Sequence, residues 1–202
     1  KYPHKGLFII VPDMRGHGLS SQGSFGIDFC ARDIYELLQH LKIDKANLVG
    51  VSMGGCIVQQ FACDYKEKTD KLVIVDSFSG TDSLKARFNA RLAAFLLKKL
   101  PKSSVLKMYY FEEQMLYTDI KHYRKIREKI NNFNILGRLH EIKAPTLVLV
   151  GDLFGDRAIN MAEQTADGIE ESQFKVLPGG GDPSNLTLTE IFDKGVLEFI
   201  KS

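Results

Sequence analysis

The residue types and spacing in Gly50-Val51-Ser52-Met53-Gly54-Gly55 suit a nucleophile. The preceding segment, Ala46-Asn47-Leu48-Val49-Gly50-Val51, fits a short buried strand, and the segment from Cys56 to Tyr65 fits a helix. A serine between glycines at such a strand-to-helix turn has a mechanical consequence. The turn is too tight for flanking side chains, and the hydroxyl is pushed out at the top of the sheet. The helix that opens there aims the backbone N–H of Met53 at any oxyanion formed at Ser52. The chemistry on offer is attack of a serine hydroxyl on an acyl carbon, which then needs a base and a group to orient that base.

Other reactive groups are sparse. The three cysteines, Cys30, Cys56 and Cys63, are too few and too uneven in number for a disulfide scaffold. They point to a reducing, cytoplasmic setting. Cys56 and Cys63 lie about 10 Å apart along one helix, beyond the reach of a bridge. Their spacing matches no zinc site, and no phosphate-binding glycine loop is present, so neither metal nor cofactor is expected. The histidines are His4, His17, His40, His122 and His140.

Strands and helices must alternate to position Ser52. Gly6–Val11 is a continuous apolar run ending in Pro12-Asp13 and is expected to form a buried strand. Ile34, Leu37, Leu38 and Leu41 repeat at helical spacing. Further strands are expected at Lys71–Asp76, Pro145–Val150 and Gln173–Leu177, with a helix from about Ala158 to Ile169 between the last two. Ile191, Phe192, Val196, Phe199 and Ile200 mark a closing amphipathic helix. Near-continuous apolar strands alternating with helices imply an α/β fold, a mainly parallel sheet covered on its faces.

Residues 81–143 break this rhythm. They carry no strand signal, several helical patterns such as Leu84, Phe88, Leu92, Phe95 and Leu96, and a punctuating Pro101. They are expected to form a helical lid inserted into a core made of residues 1–80 and 144–202. The insertion holds 14 Lys+Arg and 6 Asp+Glu, a net +8 within a chain of net +2, so the remainder is −6. A basic, aromatic-bearing lid suits acidic substrates, while the solvated face of amphipathic helices accounts for the same charge more simply. With 202 residues, 44% apolar and 26% charged, the composition is that of an ordinary globular protein. No apolar run approaches the roughly 18 residues of a membrane span, and no nucleic-acid-binding motif is present.

Five segments together resemble the α/β-hydrolase superfamily in its lidded branch. Asp13-Met14-Arg15-Gly16-His17-Gly18-Leu19-Ser20 is similar to the D-x-R-G-x-G-x-S turn after a central strand. Gly50–Gly55 is similar to the nucleophile elbow, and Lys71–Asp76 to the next strand. Lys143–Gly151 resembles the strand leading to the catalytic acid, and Leu177-Pro178-Gly179-Gly180-Gly181 the turn leading to the catalytic histidine. The resemblance implies a Ser-acid-His triad in which serine attacks, histidine takes its proton and the acid orients the histidine. Ser52 matches. The family's acid position is Phe154, leaving Asp152, Asp156 and Asp76 as nearby carboxylates, with Asp156 the substitute if the loop bends differently. The family's histidine position is Asp182, whose reference pKa of about 3.9 makes it a poor base at neutral pH. His17 occupies a position where the family commonly has a structural histidine.

The resemblance also implies earlier strands, including one whose loop supplies a second oxyanion N–H, and these have no counterpart here. The expected sheet order is then the sequential one, with most helices on one face and the closing helix on the other. That leaves a thinly covered apolar face and a tendency to self-associate. Two functions follow. One is hydrolysis of a small ester, thioester or amide through Ser52, weakened by the substitutions. The other is a catalytically silent binding module for a small acyl ligand, in the form of a natural, engineered or shortened relative.

Overall fold

The computed structural model describes residues 6–20, 23–80, 120–181 and 183–202. Most of the expected lid, residues 81–119, lies outside the described residues, as does Asp182. Four parallel strands, β1 (Ala46–Val51), β2 (Thr69–Val75), β3 (Thr146–Gly151) and β4 (Ser172–Leu177), form one sheet in the order β1-β2-β3-β4. This is the sequential order expected. The helices are α1 (Ile27–His40), α2 (Met53–Asp64), α3 (Ile120–Asn131), α4 (Asp156–Asp167), the single turn α5 (Ser184–Thr187) and α6 (Thr189–Lys201).

Alternation along the two central strands decides the layers. Leu72 and Ile74 of β2, with Val148 and Val150 of β3, face a core built with Cys30, Leu38, Ile57, Phe61, Ala162 and Ala166 of α1, α2 and α4. The intervening Val73, Val75, Leu147 and Leu149 face Phe192, Val196 and Phe199 of α6. Strands buried on both sides cannot alternate polar with apolar, which is why their sequences are continuous apolar runs. The α6 cover is uneven. Val49, registered with Val73 on the edge strand, remains 43% exposed.

One expected strand is absent. Residues 7–11 adopt no sheet pairing, and Phe8 and Val11 are 83% and 87% exposed. An apolar run with strand propensity forms a ladder only against a partner edge, and β1 is not paired with it. The turn that follows is well built nonetheless. Asp13 Oδ2 accepts the Leu19 N–H (3.0 Å), the Ser20 hydroxyl donates to Asp13 O (2.7 Å), and Gly18 takes a φ of 51°. Arg15 Nε donates to Asp33 Oδ2 (2.6 Å), tying the turn to α1.

The chain returns to the core through residues 133–142. Phe133 packs edge-on against Phe78, Ile135 N–H donates to Ser79 O (2.7 Å), and Leu139 and Ile142 are buried. Glu141 secures this return by pairing with Arg138 Nε (3.0 Å) and Lys66 Nζ (3.3 Å), while Arg138 Nη1 reaches Asp64 Oδ1 (3.0 Å). The hydrogen bonds from Arg138 and then Lys66 hold the Glu141 carboxyl at about 2, down from 4.5. A carboxylate depressed in the folded state stabilises it above its unfolded pKa and loses that contribution as pH falls toward its folded one. The melting temperature of the wild-type chain is therefore expected to fall more steeply between pH 4.5 and 2 than that of Glu141→Gln. Parallel melting curves across that window would remove this anchor.

Candidate active site

Among the described residues, Ser52, Asp76, Asp152 and Asp156 all follow the carboxyl ends of the strands. Because Val51 registers with Val75, the next residues, Ser52 and Asp76, leave the sheet side by side. The loop 152–155 follows β3, and the turn 178–181 follows β4. The carboxyl ends of parallel strands are where open α/β sheets place their ligands.

Ser52 is exposed and immediately precedes α2, with φ 52° and ψ −116°. A non-glycine residue in such a conformation costs on the order of 1–3 kcal/mol and persists only where its surroundings hold it. Here its N–H donates to Val75 O (2.9 Å), and its carbonyl accepts from Gly55 N (3.0 Å) and Ser77 Oγ (2.8 Å). The glycines have distinct reasons. A Cβ on Gly50 would stand 2.3 Å from Gly54 O, and one on Gly55 would stand 2.4 Å from Ser77 Cβ. A Cβ on Gly54 would meet open space. The tight approach is thus made by Gly50 and Gly55, and Gly54, the second glycine of G-x-S-x-G, is spatially dispensable. Met53 opens α2, so its N–H has no acceptor one turn back and is available to an anion beside Ser52.

The carboxylates have separate tasks. Asp76, at φ 47°, accepts three hydrogen bonds: Gly151 N (3.0 Å) and Ser184 Oγ (2.9 Å) on Oδ1, and Ser184 N (2.7 Å) on Oδ2. It ties the ends of β2 and β3 to the start of α5 and is already occupied as an acceptor. Asp152 Oδ1 accepts from Gly179 N (2.8 Å), and Leu153 N donates to Gly180 O (3.1 Å). The loop after β3 and the turn after β4 are therefore stitched together. Asp156 is exposed in the first turn of α4, where a negative charge suits the helix N-terminus. Phe154 is half-buried between Asp152 and Gly155.

Among the described histidines, none stands in the turn after β4. His17 Nδ1 lies 3.3 Å from Arg15 O and its ring meets Phe25 edge-on, a structural placement like the one expected. His40 and His140 are exposed on α1 and in the 136–141 turn. His4 and the side chain of His122 lie outside the described residues. The three cysteines are free and buried, and burial pushes the Cys56 thiol up to about 11. Sequence reasoning missed Ser77 and Ser184. Serines following a strand or opening a helix are too common to stand out.

The family model for the alpha/beta hydrolase fold matches residues 2–103. The chain belongs to the alpha/beta hydrolase family. Among its relatives, a 2-hydroxy-6-oxononadienedioate/2-hydroxy-6-oxononatrienedioate hydrolase of Paraburkholderia phymatum is 26% identical over 226 residues, covering 98% of this chain and 78% of the relative. The fold matches the enol-lactonase of Burkholderia xenovorans with a TM-score of 0.72 at 22% identity, over 94% of this chain and 78% of that one. It matches a thermophilic esterase of Thermogutta terrifontis with a TM-score of 0.74 at 24% identity, with the same coverage. At those identities the structural likeness is one of fold. Within this alpha/beta hydrolase no helix among the described residues is long and apolar enough to cross a membrane.

Proposed function

We propose that this alpha/beta hydrolase attacks a small ester, thioester or amide through Ser52, at a rate held down by Phe154 and Asp182. The observation that carries this reading is the geometry of Ser52: exposed, at φ 52° and ψ −116°, between β1 and the first turn of α2. Building such a strained turn has a use when the hydroxyl must be presented and an oxyanion must meet the Met53 N–H. Relatives named as a dienedioate hydrolase, an enol-lactonase and an esterase support hydrolysis of an acyl compound. Substrate choice is assigned to the expected lid at 81–143, whose final residues, 133–142, pack into the core.

A second reading, a silent binding module, is favoured by the structural hydrogen bonds that Asp76 and Asp152 already accept. Both serve to hold strand ends and loops together, and no described histidine stands beside either. Treatment with a fluorophosphonate probe separates the two. The expected result is one added adduct mapped to Ser52 and none on Ser52→Ala, with slow hydrolysis of p-nitrophenyl acetate that disappears in the same variant. Absence of both labelling and hydrolysis above the Ser52→Ala background would establish the silent module instead.

A further inference from the structure

Ser77 makes a contact that links the nucleophile to the strand beside it. Its hydroxyl is buried and donates to the carbonyl of Ser52 at 2.8 Å. That bond closes on a residue whose N–H is already held by Val75 O, two residues before Ser77. The strained peptide units on both sides of Ser52 are therefore gripped by the same end of β2. The side chain of Ser77 also fills the space that Gly55 leaves empty, since a Cβ on Gly55 would stand 2.4 Å from Ser77 Cβ and 2.5 Å from its Oγ. The first turn of α2 rests directly on it. Cys56 Sγ, 3.6 Å away, closes the other side.

From these contacts we infer that Ser77 is a positioning residue for the reaction assigned to Ser52. Its hydroxyl fixes the carbonyl of residue 52 and with it the direction of the Met53 N–H, because one peptide unit carries both groups. Without the bond, that carbonyl is held only from the α2 side, by Gly55 N–H and the first turn of the helix that Ser52 caps. The Met53 N–H would then be aimed at an oxyanion less firmly, with no hold on its peptide from the β2 side. The neighbouring Asp76 holds the loop on the opposite side, so two successive residues set the two walls of the site against each other. This inference rests on the reading of Ser52 as the nucleophile.

The test compares Ser77→Ala with Ser79→Ala. Ser79 is a buried serine two residues on, whose hydroxyl donates to Gln59 Oε1 at 2.5 Å, lies 2.7 Å from Thr165 Oγ1 and makes no hydrogen bond to Ser52. Labelling by the fluorophosphonate probe is followed to completion, giving a rate constant and a final stoichiometry. Loss of one hydrogen bond to the nucleophile's carbonyl is expected to lower the Ser77→Ala rate constant about fivefold with full final stoichiometry. Ser79→Ala is expected to label at the wild-type rate. Loss of fold would instead lower the stoichiometry.

A Ser77→Ala rate equal to wild type, or an equal slowing in Ser79→Ala, would overturn the assignment. If the wild-type chain is not labelled at all, the hydrolase reading fails, and hydrogen exchange decides the positioning claim by itself. The Ser52 and Gly55 amides are then expected to exchange faster in Ser77→Ala and at the wild-type rate in Ser79→Ala. Unchanged protection in Ser77→Ala overturns it.

Discussion

A chain carrying Asp182→His together with Phe154→Asp is expected to hydrolyse p-nitrophenyl acetate about 10²–10⁴-fold faster than the parent, the range a well-placed general base contributes. The serine hydroxyl cannot attack efficiently at neutral pH unless a neighbour takes its proton. A carboxylate with a reference pKa of about 3.9 binds that proton too weakly, whereas imidazole at about 6.5 is matched to the task. In the subtilisin case, loss of the histidine costs about a million-fold and loss of the acid about 10⁴-fold, so the two substitutions are expected to act together rather than add. Asp152 to Gly179 and Leu153 to Gly180 stitch the loop that carries Phe154 to the turn at 178–181. The gain should appear in kcat/KM as a sigmoid rise with a midpoint near the histidine range, and Ser52→Ala in that background should abolish it. No rise in the double variant would show that the two positions are not the acid and base seats.

Asp76→Ala is expected to be the most damaging single change outside the apolar core. Its carboxylate is the acceptor for Gly151 N–H, Ser184 N–H and the Ser184 hydroxyl. Both partner residues are buried, and Ser184 is fully inaccessible. The Gly151 and Ser184 N–H groups are left without an acceptor, at about 1–3 kcal/mol each, while the Ser184 hydroxyl keeps Gly181 O (3.2 Å), so the loss should reach about 2–5 kcal/mol. In a chain of this size that lowers the melting temperature by roughly 10 °C. Asp76→Asn keeps one carbonyl oxygen but turns an N–H₂ toward one of the donors, so an intermediate loss is expected. Asp156→Ala, on an exposed helix turn, should change stability by about 0.5 kcal/mol or less. Thermal unfolding followed by circular dichroism checks all three. An Asp76→Ala chain melting within a degree or two of the parent would mean that the three hydrogen bonds do not hold the strand ends together.

Much of the fold was legible because its signals are local. Strands β2 and β3 contain short continuous apolar runs, and burial on both faces leaves such runs no other pattern to follow. Gly50–Gly55 was legible because strand, turn and helix are adjacent in sequence, so the steric demand on Gly50 and Gly55 arises within a few residues. The turn at Asp13–Ser20 is of the same kind, closed by its own first and last residues. Residues 6–11 show the limit. Their composition specifies a propensity, but a strand exists only in a ladder, and the ladder depends on a partner elsewhere in the chain.

What the sequence determined by itself is the place of Ser52 at a strand-to-helix turn and the sequential parallel sheet around it. What only the tertiary structure decided is the work of Asp76, Ser77, Asp152 and Ser184. Asp76 and Ser184 are 108 residues apart in the chain. They meet because the parallel register brings the carboxyl ends of β2, β3 and β4 to one edge. Backbone groups that leave a sheet must find new partners there, and which side chain answers each of them is set by that juxtaposition, not by any pattern along the chain.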